Sequence, residues 1–413
     1  MTNLLMRLLP LCLVCLFAIP ATAGREVKDG QVYMRGWCFS PEQAAKQLEA
    51  FRATHRDRAS WEARAEQIRK NIRVGARLDP IPQDRPPVRV IRHSKKQMKG
   101  YTVENLALET LDGFWLCGNL YLPDGYEDMI EAGHKIPGIL CPHGHKPNKR
   151  FDQQVQARSG AFARLGCAVF AYDMIGQGET KQVEHRIEQA LRIQTWNSIR
   201  ALDFLSSLPG IDQDRLAVTG GSGGGTQSFV LAAMDDRIDL SMPVVMVAAR
   251  FYGGCVCESG MPVHVQGDFA TNNVEIAAVI APKPLLLVSN GDDWTKHTPT
   301  LELPYVKKIY AYYGAEAKVE NAHFEKEKHD YGISKREAAC WFLCRHFDLS
   351  RAPLRDGKGA YDESWYEELP FDALRVFNDE HPRPGAETIE PADLEKQLDA
   401  MVARQAGQSA FVK

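Results

Sequence analysis

Residues 220–225 read Gly-Gly-Ser-Gly-Gly-Gly, so Ser222 has Gly220 two places before it and Gly224 two places after it. The apolar run Leu216-Ala-Val-Thr219 precedes the glycines, and a helix-forming stretch, Thr226 to Met234, follows them. A strand that bends this abruptly into a helix drives backbone against backbone, where only glycine avoids a Cβ clash. The chain is thereby committed to a strand, a tight turn and a helix, with one serine hydroxyl held at the apex. A glycine-rich linker is the plain alternative, but a linker needs neither flank.

The same alternation runs through the rest of the sequence. Short Val- and Leu-rich runs over 136–141, 167–172, 216–219, 243–248 and 284–289 predict strands. Helical segments over 155–165, 193–208 and 335–347, with the one after Ser222, separate or follow them. Apolar strands divided by helices predict an α/β fold with a mostly parallel sheet covered on both faces. Functional residues in such sheets gather at the carboxyl ends of the strands. An antiparallel hairpin, 102–109 and 114–122 joined through Leu111-Asp-Gly113, opens the sheet.

Outside that core, 24–99 reads as a polar N-terminal helical extension, with helices over 41–51 and 60–70 and a loop rich in proline from 80 to 87. Residues 350–413 form a C-terminal extension with one helical run over 391–404, suited to docking on the core or on a partner. The first residues have the pattern of a signal peptide: Arg7, an apolar run over 8–19, then Ala21-Thr-Ala23. Cleavage after Ala23 would send the chain to the periplasm or the exterior. The apolar run is too short to span a bilayer comfortably, so no stable membrane insertion is expected once it is cleaved; an uncut anchor is the rival. The domain division is therefore 1–23, 24–99, a catalytic unit over 100–349, and 350–413.

Lys and Arg number 50 against 53 Asp and Glu, a net charge of -3 that offers no footprint for nucleic acid. Of the cysteines beyond the leader, Cys141 and Cys167 lie in apolar runs and read as core. Cys255-Val-Cys257 and Cys340-x-x-x-Cys344 lack a second pair at zinc-finger spacing, so burial or a disulfide is preferred and neither metal nor cofactor is expected. Disulfide pairing and oligomeric state are not legible.

A serine nucleophile needs a base, and the base an orienting acid. In this kind of fold the acid and then the histidine follow the serine along the chain. Asp292 and Asp293 stand just beyond the strand that begins at Pro284, and Asp293 is the choice. His329, immediately before the last helix of the core, is preferred as base over His264, His297 and His323. The oxyanion of a tetrahedral intermediate needs two fixed N–H donors. Gly223 supplies one, at the start of its helix, and the main chain of His145 the other, with Gly144 permitting close approach. Metal binding by His143-x-His145 lacks a third ligand nearby in sequence. Weaker pocket candidates are His143, Gly144, Trp294, Arg250 and Glu258; Trp294 suits stacking on a sugar or packing under its loop, and the segment from Arg250 suits the mouth or a buried clamp.

From about 101 to 347 the chain resembles the α/β-hydrolase superfamily, and within it the bacterial acetyl xylan esterase-like group related to carbohydrate esterases. The matching stretches are His143-Gly144, Asp173-Met-Ile-Gly-Gln-Gly-Glu179, the serine turn, Gly254-Cys-Val-Cys-Glu-Ser-Gly260, Thr271-Asn-Asn-Val-Glu-Ile276, Asp293-Trp-Thr295 and His329-Asp-Tyr331. The resemblance implies Ser222 as nucleophile, Asp293 rather than Asp292 as acid, His329 as base, and a small-molecule or polysaccharide ester as substrate, with acetyl esters on carbohydrate favoured. Two rivals stand beside it. A prolyl-oligopeptidase-like peptidase would bring a propeller, for which 24–99 is too short, since each blade takes about 40–50 residues. A catalytically silent hydrolase-like binding protein would need no intact set of these residues.

Overall fold

In β-strands successive side chains face opposite sides, and here both sides are apolar. Leu140 points into one buried cluster while Ile139 and Cys141 enter another, and Phe170 is divided in the same way from Val169 and Ala171. A sheet with two apolar faces must be covered twice. The computed structural model describes residues 25–28, 31–36 and 39–411, so the expected signal peptide and Cys38 lie outside the described residues.

The main sheet has nine strands: β1 (Arg89–Met98), β2 (Tyr101–Leu111), β3 (Phe114–Pro123), β4 (Ile136–Pro142), β5 (Ala168–Tyr172), β6 (Ile211–Gly221), β7 (Leu240–Val244), β8 (Leu285–Asn290) and β9 (Val319–Phe324). Their spatial order is β9-β8-β7-β6-β4-β5-β3-β2-β1. The six strands from β4 to β9 pair in parallel, and β1 to β3 form an antiparallel meander joined to β5. Helices α1 (Gln153–Arg164) and α4 (Ile333–Phe347) cover one face, while α2 (Ala190–Ser207) and α3 (Gly223–Met234) cover the other.

The expected sheet is present, with two additions and one shift. β1 joins it although 89–98 was assigned to the N-terminal extension, because its polar, half-exposed sequence carries no buried face. β9 escapes notice for the same reason: Val-Glu-Asn-Ala-His-Phe is an edge strand, only partly covered. The strand expected over 243–248 instead ends at Val244, since Val245 turns to a φ of 50°.

Both extensions pack into the body. Trp61, Ile68 and Ile72 of the N-terminal helices are buried in the same cluster as the sheet, and Arg64 pairs with buried Glu275 at 2.6 Å. The C-terminal stretch docks on the core: Leu374 and Val376 are fully buried, and Leu394 and Leu398 of the final helix enter the main cluster. No described helix is long and apolar enough to cross a membrane.

Candidate active site

Ser222 ends β6 and caps α3 with φ 55° and ψ -121°, a left-handed conformation that a non-glycine residue adopts at a cost of about 1–3 kcal/mol. Its amide donates to Val244 O at 3.0 Å, which ties the turn to β7. A Cβ on Gly224 would stand 2.5 Å from Pro142 O, and one on Gly220 would strike the same carbonyl. Both glycines are thus demanded by the approach of β4.

Two cavities share Ser222. One, of about 370 Å³, is lined by His143, Gly144, His145, Lys146, Ser222, and His329 among others. The second, of about 970 Å³, runs past His145, His185, Cys255, Glu258 and Trp294.

On the first side, His329 Nδ1 lies 2.6 Å from Asp293 Oδ2. The other oxygen of Asp293 accepts from Thr295 N at 2.6 Å and Thr295 Oγ1 at 2.5 Å, fixing the carboxylate behind the ring. An acid on Nδ1 fixes the tautomer and leaves Nε2 for the cavity. Asp292 is exposed, and its amide merely closes a turn on Asn290 Oδ1. Of the other histidines, His264 is buried against Asn273 and His323 pairs with Glu325. Trp294 packs on Phe251 and on His329, with ring centroids 4.2 and 4.6 Å away, so most of its face is spent within the protein.

Opposite the serine, a Cβ on Gly144 would meet Gly221 O at 2.6 Å and Ser222 Cβ at 3.0 Å, so the loop after β4 lies directly against the turn. Beneath that loop, His143 is buried, with Nδ1 toward Gly144 O at 2.8 Å and Nε2 accepting from Met174 N at 3.1 Å. Burial holds its pKa below the ordinary value, so it serves as a neutral strut. The loop 173–179 is locked in turn by fully buried Arg150, which forms an ion pair with Asp173 at 3.0 Å and donates a hydrogen bond to Glu179.

Arg250 lines neither cavity that contains Ser222; it is buried, with its carbonyl holding Phe39 N. Placing it at the mouth is therefore corrected to the clamp. Glu258 does reach the second cavity, yet from beneath: it is buried and accepts from Gly254 N at 2.8 Å and Cys255 N at 2.9 Å. Burial raises its pKa.

Of the two readings of the Cys-x-Cys motif, burial holds for Cys257 and the disulfide does not form. The seven described cysteines are free, and Cys255 and Cys257 converge with His145 and His185, all four ligand atoms lying within 4.8 Å of one another. A hydrogen bond with Cys257, then contacts with His145 and His185, pull the Cys255 thiol down to about 2 against its burial. His185 carried no signal by itself. The signal lay in pairing the Cys-x-Cys with His145, which sequence reasoning matched with His143 instead. Lys149 was also missed; at φ 54° it lines both cavities.

Comparison with known proteins gives a consistent picture. The sequence profile of the family "Glucuronyl esterase, fungi" matches residues 183–248. A solved structure named methylesterase BT1017 is 35% identical, with a TM-score of 0.78 over 91% of this chain and 81% of its own. The 4-O-methyl-glucuronoyl methylesterase 1 of Sodiomyces alcalophilus is 26% identical over 208 residues, 43% of this chain. The match spans only 39% of that relative's length. A glucuronoyl esterase from Solibacter usitatus, 14% identical with a TM-score of 0.54 over 71% of this chain and 94% of its own, shares the fold.

Proposed function

The chain belongs to the α/β-hydrolase-type carbohydrate esterases, and from that premise we propose that it removes methyl groups from esterified uronic acid units of a polysaccharide. One observation carries the chemistry: Ser222, held at φ 55°, shares a cavity with His329, whose Nδ1 is 2.6 Å from Asp293. His329 Nε2 takes the Ser222 proton and the alkoxide attacks the ester carbonyl. The backbone N–H groups of Gly223 and His145 hold the resulting oxyanion. Collapse expels methanol, which takes its proton from His329, and leaves the uronyl group on Ser222. Water, deprotonated by His329, then releases the uronate and restores the serine.

Methyl esters are preferred to the acetyl esters favoured by the sequence reading because both relatives with appreciable identity are named methylesterases. The charge around the serine agrees. Lys146, Lys149 and Arg158 line one cavity against Asp152 and Asp330, and Lys149 and Arg186 line the other against Glu258, an excess of cations suited to the neighbouring carboxylates of a polyuronide. Such a substrate cannot cross a bilayer, which fits a periplasmic or secreted enzyme.

The test is a panel of methyl-esterified polyuronide, acetylated xylan and a prolyl-peptide amide, run on wild type and Ser222→Ala. Methanol release that vanishes in the variant is expected. Acetate release without methanol would restore the acetyl reading, amide cleavage alone would make the chain a peptidase, and no turnover would leave a silent binding protein.

A further inference from the structure

We propose that His145, His185, Cys255 and Cys257 form a tetrahedral zinc site beside the nucleophile, and that the ion fixes the loop opposite Ser222. The distances are those of a ligand set. His145 Nε2 is 3.1 Å from His185 Nε2 and 3.3 Å from Cys257 Sγ, and His185 Nε2 is 3.2 Å from Cys255 Sγ. Zn–N bonds of about 2.0–2.1 Å and Zn–S bonds of about 2.3 Å place tetrahedral donors roughly 3.3–3.8 Å apart. The observed edges lie within a few tenths of an ångström of those values.

The second layer has the form that metal-bound imidazoles require. His185 Nδ1 lies 2.6 Å from Ile175 O, and only an N–H can face a carbonyl at that distance, so the lone pair sits on Nε2. His145 Nδ1 faces Glu258 Oε1 at 3.6 Å, which turns its Nε2 to the same centre. The Nε2 atoms of both rings and the two sulfurs thus face one centre. A cation at that centre would be within reach of all four donors. A carbonyl and a carboxylate behind the two rings are the outer partners that orient such ligands.

Two cysteine sulfurs and two imidazole nitrogens suit zinc over a hard cation. Four protein donors leave no open coordination position, so the ion does not act on the substrate. Its role follows from what the donors belong to: the loop after β4, the segment leading to α2, and the turn at 255–257. The His145 ring lies over the start of α3, where a Cβ on Gly223 would meet its Cε1 at 2.9 Å. Holding that ring holds the His145 amide near Ser222. The metal site stands independently of which ester is cleaved; only its effect on rate rests on the esterase reading.

Metal analysis of the full chain purified without chelators is the test. About one zinc per chain is expected, together with a thiolate-to-metal charge-transfer band in the near ultraviolet after exchange with Co²⁺. Cys255→Ser and His185→Gln each lose the metal, whereas Ser222→Ala keeps it. The Co²⁺ spectrum of the wild type decides the matter even where a variant fails to fold. Zinc below about a tenth of an equivalent with no charge-transfer band, a Cys255–Cys257 disulfide in the peptide map, or undiminished zinc in both variants would overturn the site.

Discussion

The two sides of Ser222 are built on different plans. On one side, a single histidine and a single carboxylate, 2.6 Å apart, stand on loops that follow β8 and β9. On the other, two imidazoles and two thiols converge from three separate loops. In the proposed mechanism the first side moves protons, so a change of residue type there stops the reaction. The second, as proposed, only holds a position, so its loss lowers the rate by degrees.

That contrast sets the scale of what each change does. Ser222→Ala removes the nucleophile common to both sides, and kcat falls on the order of 10⁶-fold, measured as methanol release. Asp293→Asn leaves the geometry but permits the wrong tautomer of His329, costing about 10⁴-fold in kcat, while Asp292→Asn changes little. The reverse ranking would break the assignment of the acid. His185→Gln loosens the opposite loop, and loss of one oxyanion donor lowers kcat about 10²- to 10³-fold with KM nearly unchanged. The pH profile of kcat/KM keeps its shape in that variant, because His329 is untouched; a shifted profile would show that the two sides are not separable.

A fourth expectation concerns stability near the thiol-bearing turn. His264, buried against Asn273 and stacked on Tyr252 at 4.6 Å, has its pKa lowered by burial to about 4. The unfolded chain takes up a proton from about 6.5 downward and the folded chain does not, so stability is held above that pH and lost as it falls toward 4. The loss is about 3 kcal/mol, and hydrogen exchange at pH 4 should rise first across 251–273, ahead of the segment bearing His329.

Legibility followed the same division. The serine turn and the parallel strands were readable because each is encoded by neighbours: the glycines that β4 demands, and Val and Leu runs apolar on both faces. Chain order narrowed the acid to Asp292 or Asp293 and, with the position before the last helix, favoured His329; the resemblance favoured Asp293, whose carboxylate lies 2.6 Å from His329. His185 did not, since a lone histidine between Glu184 and Arg186 looks like surface until the fold brings Cys255 to it. β1 and β9 were hidden because edge strands have little to bury.

Glu179 accepts the amides of Val376 and Phe377 at 2.8 and 3.1 Å, and the same carboxylate grips Arg150 beneath the loop that supports His143. A chain still on the ribosome thus carries its complete serine turn well before those two amides emerge. Until then a buried carboxylate lacks two donors and the loop facing the nucleophile is unlocked. The loop facing the serine therefore closes its hydrogen bonds only when residues near the C-terminus are in place.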